Sequence, residues 1–118
     1  MDKTKINKVK AFFKEQYPHI KRMAIPEGTT INSPLHGRVA LATQYNRQIN
    51  DVINRCSKMS RTVLTTLYVE ELDNGTCVSR VGYSESYYYR RVKPSALNEF
   101  MERMQAQYPD TIAKILAD

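Results

Sequence analysis

The chain has 118 residues, of which 42% are hydrophobic, and a formal charge of +6 with an isoelectric point near 9.4. This content suffices for one compact core and argues against wholesale disorder, and no apolar run approaches the roughly 18 residues that a membrane span requires. Residues 1–22 contain seven Lys or Arg against Asp2 and Glu15, whereas residues 81–118 contain five of each sign. The positive excess therefore lies in an N-terminal arm, and it favours an anionic partner.

The first segment has helical periodicity. Its apolar residues recur at intervals of three and four, which predicts an amphipathic helix over about residues 4–17 that ends before Pro18. We expect residues 1–23 to form a basic N-terminal helix in which Lys8 and Lys10 are candidates for phosphate contacts. The start of the chain lacks the apolar block of a signal peptide, so we expect a cytoplasmic protein without a membrane partner. The apolar stripe of this predicted N-terminal helix consists of Ile6, Val9, Phe13 and Tyr17.

Residues 24–38 combine two prolines and two glycines with polar residues, which is typical of a linker or a long loop. His19 and His36 lie near or in this stretch without acidic or cysteine neighbours at ligand spacing, so they predict no metal site. From Val39 to about Lys58, a second stripe predicts a long helix that packs in the core, with a dimer seam as the alternative. This stripe consists of Leu41, Tyr45, Ile49, Val52, Ile53 and Cys56.

The cysteines and acidic residues of this sequence do not form a pattern typical of a catalytic or metal site. Cys56 and Cys77 show no CxxC spacing, so we expect free thiols rather than a disulfide or a metal site. Glu70, Glu71 and Asp73 form the nearest acidic cluster, which is typical of a solvated helix end. With no glycine-rich phosphate loop and no nucleophile–base set in the sequence, we expect no enzyme, no cofactor and no metal.

The segment from residue 59 to residue 83 is compatible with two structures. Ser60 is suited to cap a helix whose apolar residues point inward. The same segment is rich in Thr, Val and Tyr, and Asn74-Gly75 is a strong hairpin signal, so a β-hairpin of 62–70 with 76–83 is the alternative. These residues alone leave both structures open.

Residues 76–93 have the pattern of a helix-turn-helix. Thr76 is expected to cap a first helix that ends at Gly82, because glycine permits the conformation in which the chain leaves a helix. Tyr83 is then expected to plug the corner, and Ser84 to cap the second helix. Alone, these signals are moderate in specificity.

Three consecutive tyrosines cannot all be buried in a helix, because successive residues point about 100° apart. If Tyr88 points inward, Arg90 lies on the opposite side, where arginine can bind guanine through two hydrogen bonds and hydroxyl groups can reach phosphates. A solvent-facing helix is the alternative. The candidate DNA contacts are Ser84, Glu85, Ser86, Tyr87, Tyr89, Arg90, Arg91 and Lys93, with Thr76, Lys8 and Lys10 as candidate phosphate contacts.

The run from residue 67 to residue 104 resembles the C-terminal half of the ArpU/RinA-type phage transcriptional regulators. The likeness lies in the turn at 82–86, in Tyr88-Tyr89-Arg90, and in Ala96-Leu97 followed by Phe100. Upstream, the N-terminal half of that family is similar to three further stretches of this chain: HIKRMA, INSP and the predicted long helix before SRTVL. Members of that family typically end in a helix-turn-helix of the sigma-factor C-terminal type. The resemblance implies an all-α fold with a DNA-binding domain over residues 39–118, and it favours helix for residues 60–70.

The resemblance implies a sequence-specific regulator of phage late or lytic genes in the cytoplasm of a bacterial host. Its partners would be double-stranded DNA, with RNA polymerase and a second copy of the chain as further options. The alternative is a helical protein-interaction module with weak or no DNA binding.

Pro94 departs from the family pattern, in which the helix usually continues at this position. Because proline removes the hydrogen bond to the Arg90 carbonyl, the recognition helix is expected to kink or end there, or to restart at Pro94. The tail DTIAKILA predicts a last short helix capped by Asp110.

Overall fold

The computed structural model describes residues 2–26, 28–30 and 33–117, and within these ranges every regular element is a helix. The all-α prediction is confirmed, and the β-hairpin alternative for residues 62–83 is wrong. Two segments are π-helical, meaning that the N–H group donates to the carbonyl five residues back. The elements are α1 (Lys3–Glu15), α2 (Tyr17–Met23), α3 (Gly37–Arg55), α4 (Lys58–Leu64), the first π-segment (Thr65–Val69), α5 (Asn74–Val81), α6 (Glu85–Tyr87), the second π-segment (Tyr88–Val92), α7 (Lys93–Gln107) and α8 (Pro109–Leu116).

The N-terminal segment forms two helices rather than one. Asp2 caps α1, because its carboxylate accepts hydrogen bonds from the N–H of Thr4 at 3.0 Å and of Lys5 at 3.3 Å. Pro18 lies in the first turn of α2, where the missing N–H costs nothing. The predicted end of the first helix before Pro18 is confirmed, and α2 is a helix that the sequence pattern did not predict.

One hydrophobic core takes residues from both ends of the chain. The buried ring of Phe13 in α1 stacks on Tyr68 with the ring centroids 4.2 Å apart, and its centroid lies 4.8 Å from that of Phe100 in α7. Aromatic pairs in this range add stability beyond the burial of their surface. The contacts fix α1 against α7, so the lysines of α1 have defined positions relative to the C-terminal helices.

The stripe on α3 joins the core only in part. Ile49, Val52 and Ile53 are buried, whereas Leu41 is 46% exposed. The prediction that Leu41 belongs to a core stripe is therefore wrong, because the apolar stripe is longer than the core that packs against it.

The connection between α2 and α3 has no helix in residues 24–26, 28–30 and 33–36, whereas Gly37 and Arg38, which the predicted linker included, begin α3. Its first part is tied to α3, since the Ile25 N–H donates to Thr43 Oγ1 at 3.0 Å. The predicted linker also includes Glu27, Ile31 and Asn32, which lie outside the described residues, as do the terminal residues 1 and 118. No helix in the described ranges combines the length and apolar character needed to cross a bilayer.

A hydrogen-bond cluster centred on Glu99 joins the start of α4 to α7. The Glu99 carboxylate accepts from the Ser57 N–H at 2.6 Å, the Ser57 hydroxyl at 2.8 Å, the Ser60 hydroxyl at 2.8 Å and Arg103 Nε at 3.1 Å. Burial opposes the ionised form, but these bonds outweigh it and lower the pKa of Glu99 to about 2. Ser60 therefore belongs to this cluster, and Ser57 rather than Ser60 is the cap position of α4.

The last helix and the two cysteines complete the fold. α8 begins at Pro109, so Asp110 lies in its first turn instead of capping it, and the predicted cap is wrong. Cys56 and Cys77 are buried free thiols, as predicted.

The Glu99 cluster predicts a specific loss of stability in acid. A carboxyl whose folded pKa is lowered contributes stability above its unfolded pKa and loses it as the pH falls towards the folded value. Between about pH 6 and pH 2, we expect the free energy of unfolding to fall by about 2–3 kcal/mol more in the wild type than in Glu99→Gln. Urea unfolding followed by circular dichroism measures this difference. Glu102→Gln, which removes an exposed carboxylate from the same helix, should keep the wild-type slope, and equal slopes for Glu99→Gln and wild type would contradict the assignment.

Candidate nucleic-acid interface

Helix α5 begins with a side-chain cap and ends in a left-handed glycine. Asp73 is the cap, since its Oδ1 accepts from the Thr76 N–H at 2.8 Å. The prediction that Thr76 caps this helix is therefore wrong, and the Asp73 charge at this end disfavours a phosphate contact by Thr76. Gly82 has a φ of +78°, which confirms the predicted break, because this conformation is costly for residues with a side chain.

The next helical run begins three residues later. Ser84 caps it by accepting from the Tyr87 N–H at 3.2 Å, which confirms the predicted cap. Tyr83 is 48% exposed, and its ring lies 4.8 Å from that of Tyr87. The prediction that Tyr83 plugs the corner is wrong, because this ring packs at an angle against Tyr87 on the outer surface instead of entering the core.

The three tyrosines separate as predicted. Tyr88 is fully buried, whereas Tyr87 and Tyr89 are 39% and 47% exposed. The Tyr88 hydroxyl donates to Asn74 Oδ1 at 2.8 Å, and burial raises the pKa of Tyr88 well above its ordinary value. The buried ring thus fixes the rotation of the helix about its own axis.

The second π-segment reconciles Pro94 with a continuous helical run from Glu85 to Gln107. In a regular α-helix, the ring of Pro94 would clash with the Arg90 carbonyl, and that carbonyl would lose its donor. Here the Lys93 N–H bonds to the Tyr88 carbonyl, one residue further back than in an α-helix, and Pro94 lies in the first turn of α7. Of the predicted outcomes, the restart is the one observed, since Pro94 lies in the first turn of a new α-helical segment, and the widened turn joins this segment to the preceding one without a gap.

The widened turn also changes where Lys93 points. With hydrogen bonds that span five residues, Lys93 lies above Tyr88 on the inner face. Lys93 is only 9% exposed. Its Nζ donates a hydrogen bond to Asn74 Oδ1 at 3.1 Å and lies 5.9 Å from the centre of the Tyr89 ring. Burial and the nearby Lys10 lower the pKa of Lys93. The prediction that Lys93 is an outward DNA contact is wrong, because an α-helical spacing was assumed for it.

The remaining predicted contacts of the helix are exposed, but its two arginines face different sides. Arg90 lines a cavity of about 400 Å³ together with Lys3, Asn7 and Pro94. Arg91 lines a separate cavity with residues of α4 and with the exposed rings of the turn. The exposed residues are Ser84, Glu85, Ser86, Tyr87, Tyr89, Arg90 and Arg91.

A row of polar and basic residues on α1 runs beside this helix. The row consists of Lys3, Asn7, Lys10 and Lys14, whose spacing of four, three and four residues places them on one helix face. At one end, the row meets Arg90; at the other, it lines a cavity of about 470 Å³ with Lys93. We call this surface the basic groove; it consists of Lys3, Asn7, Lys10, Lys14, Arg90 and Lys93.

The two lysines predicted on α1 do not share a face. Lys10 belongs to the basic groove, whereas Lys8 donates to the Leu116 carbonyl at 3.1 Å, at the end of α8. Sequence reasoning missed Lys3, Asn7 and Lys14, although their spacing with Lys10 was readable.

Two acidic residues also line the basic groove, and both are engaged within the protein. Glu71 forms an ion pair with Lys21, with 3.1 Å between Glu71 Oε2 and Lys21 Nζ, and the Asp73 carboxylate caps α5. Their charges are thus partly compensated, and the groove keeps a positive excess from its lysines.

Comparison of this chain with protein-family models, with curated proteins and with solved structures finds no match.

Asn74 is the acceptor on which the inner face of the second helix depends. Asn74→Ala leaves the Tyr88 hydroxyl and the Lys93 ammonium without this partner, and we expect the free energy of unfolding to fall by about 1–3 kcal/mol in urea denaturation. Lys93→Met removes a mostly buried charge but leaves the bond from Tyr88 to Asn74, so we expect a change within about 1 kcal/mol of wild type. If Lys93→Met costs as much as Asn74→Ala, the ammonium group rather than the tyrosine holds this contact.

Proposed function

We propose that this protein is a sequence-specific double-stranded DNA-binding protein that regulates transcription, in line with its resemblance to the ArpU/RinA-type regulators. In this proposal, residues 76–93 act as a helix-turn-helix, and the run from Glu85 to Val92 enters the major groove. The protein would act in the cytoplasm of a bacterial host on late or lytic phage genes, without a catalytic step. The observation that carries the proposal is the position of exposed Arg90 beside the basic row of α1.

The reading of bases is assigned to the outward face of the helix. Arg90 has a guanidinium group suited to the two acceptors of guanine in the major groove. The exposed hydroxyls of Ser86, Tyr87 and Tyr89 are suited to phosphates or base edges. Glu85 can accept from a cytosine amino group, and Ser84 contributes through its cap, which aims the first turn.

Affinity is assigned to the lysines of α1. A recognition helix alone carries too little charge to hold the DNA backbone, because phosphate contacts supply most of the non-specific affinity. Lys3, Lys10 and Lys14 lie along the flank of the helix, where a strand of the duplex would pass when the helix enters the groove. Arg91 faces the other side and is assigned to the opposite strand.

The first test identifies the site and then removes the base-reading side chain. Selection from random duplexes gives the preferred sequence, and footprinting with sizing of the complex gives its symmetry and the number of copies bound. Arg90→Ala should then lose roughly 1–3 kcal/mol of binding free energy on that sequence and tolerate changes at one base pair. Arg61→Ala, which removes an exposed arginine from α4, serves as the control. Failure to enrich any sequence, or unchanged binding by Arg90→Ala, contradicts the proposal.

The second test compares two lysines of the same helix. Lys10→Ala should weaken binding to all duplexes about equally and reduce the slope of log affinity against log salt by about one, because one phosphate contact is lost. Lys8→Ala should leave both quantities unchanged, since Lys8 contacts the end of α8. Fluorescence anisotropy over a range of salt concentrations measures this, and equal effects of the two substitutions would place the phosphate contacts elsewhere.

A further inference from the structure

An apolar groove between α2 and α3 lies apart from the basic groove and shares no lining residue with it. Its volume is about 200 Å³. Two large apolar side chains are open to solvent there, Met23 at 40% and Leu41 at 46% exposure. We call it the α2–α3 groove; it is lined by His19, Ile20, Met23, Arg38, Leu41, Ala42 and Tyr45.

The α2–α3 groove has the form of a site for a helix. Two helices pack side by side and form its walls, and a third helix can insert its apolar face between them, as in helix-in-groove recognition. The apolar stripe of α3 continues past the core into this groove, where the half-buried Tyr45 and the exposed Leu41 extend a row that is buried from Ile49 onwards.

The charge around the α2–α3 groove is positive. Arg38 lines the wall formed by α3, and Arg22 lies on α2, with its Nη2 2.8 Å from His19 Nδ1. Within the part of the chain that the structure describes, neither arginine forms an ion pair. From residue 16 to residue 50, the sequence contains a single acidic residue, Glu27.

We propose that the α2–α3 groove binds an amphipathic helix of a different protein, whose apolar row is flanked by Asp and Glu. The apolar row covers Met23 and Leu41, and the acidic flanks pair with Arg22 and Arg38. A second copy of this chain fits poorly, because a two-fold interface would place the two arginine rims against each other. The inference is independent of DNA binding.

The test uses two synthetic helical peptides with the same row of leucines. One carries glutamates beside this row, and the other carries lysines at the same positions. Fluorescence anisotropy with the full-length protein should show binding of the acidic peptide and at least tenfold weaker binding of the basic one. Leu41→Ser should weaken binding of the acidic peptide at least tenfold, whereas Val69→Ser, which changes a side chain of 38% exposure outside both grooves, should not.

Several outcomes would overturn this inference. Equal binding of the two peptides would make the contact a non-specific apolar one, and no binding of the acidic peptide up to about 1 mM would remove the site. Self-association that Leu41→Ser abolishes in sedimentation would assign the groove to a second copy. Binding to anionic lipid vesicles that Leu41→Ser abolishes would assign it to a membrane surface. Circular dichroism and urea unfolding verify that the variants are folded.

Discussion

The burial of Tyr88 against Asn74 is the contact on which the arrangement of the candidate interface depends. The ring is fully buried, and its hydroxyl donates to the first residue of α5 at 2.8 Å. One contact therefore fixes both the angle between α5 and the next helix and the rotation of that helix. Because neighbouring residues of a helix point in different directions, an inward Tyr88 turns Tyr87, Tyr89 and Arg90 towards the surface, where all three are exposed.

The second constraint is the packing of α1 on α7 through Phe13. Its stacking on Tyr68 and its contact with Phe100 hold α1 in one register. A shift of one residue along α1 would rotate its lysines by about 100° and remove them from the side of Arg90. The same core that stabilises the fold thus determines which lysines face the candidate recognition helix.

The sequence was sufficient for the features that depend on neighbours along the chain. The left-handed Gly82, the Ser84 cap and the inward Tyr88 follow from local patterns, and the structure agrees with them. For residues 60–70, local patterns left helix and hairpin open, and only the family resemblance favoured the helix that is observed. The burial of Lys93 could not be predicted in this way, because it depends on a π-turn that a regular helical spacing does not anticipate. The exposure of Leu41 and the approach of α1 to Arg90 depend on tertiary packing, which periodicity does not reveal.

The C-terminal half of the chain is nearly neutral, so the charge beside the candidate recognition helix has to be judged from the fold rather than from this segment alone. One of its carboxylates is engaged within the protein, since Glu99 accepts hydrogen bonds from two serines and from Arg103. The positive field beside Arg90 comes instead from α1, some 80 residues earlier in the chain. An anionic ligand responds to the charges within about a Debye length, roughly 8–10 Å at physiological salt, and not to the net charge of a segment. The relevant quantity is therefore the charge of the basic groove, which combines the two ends of the chain.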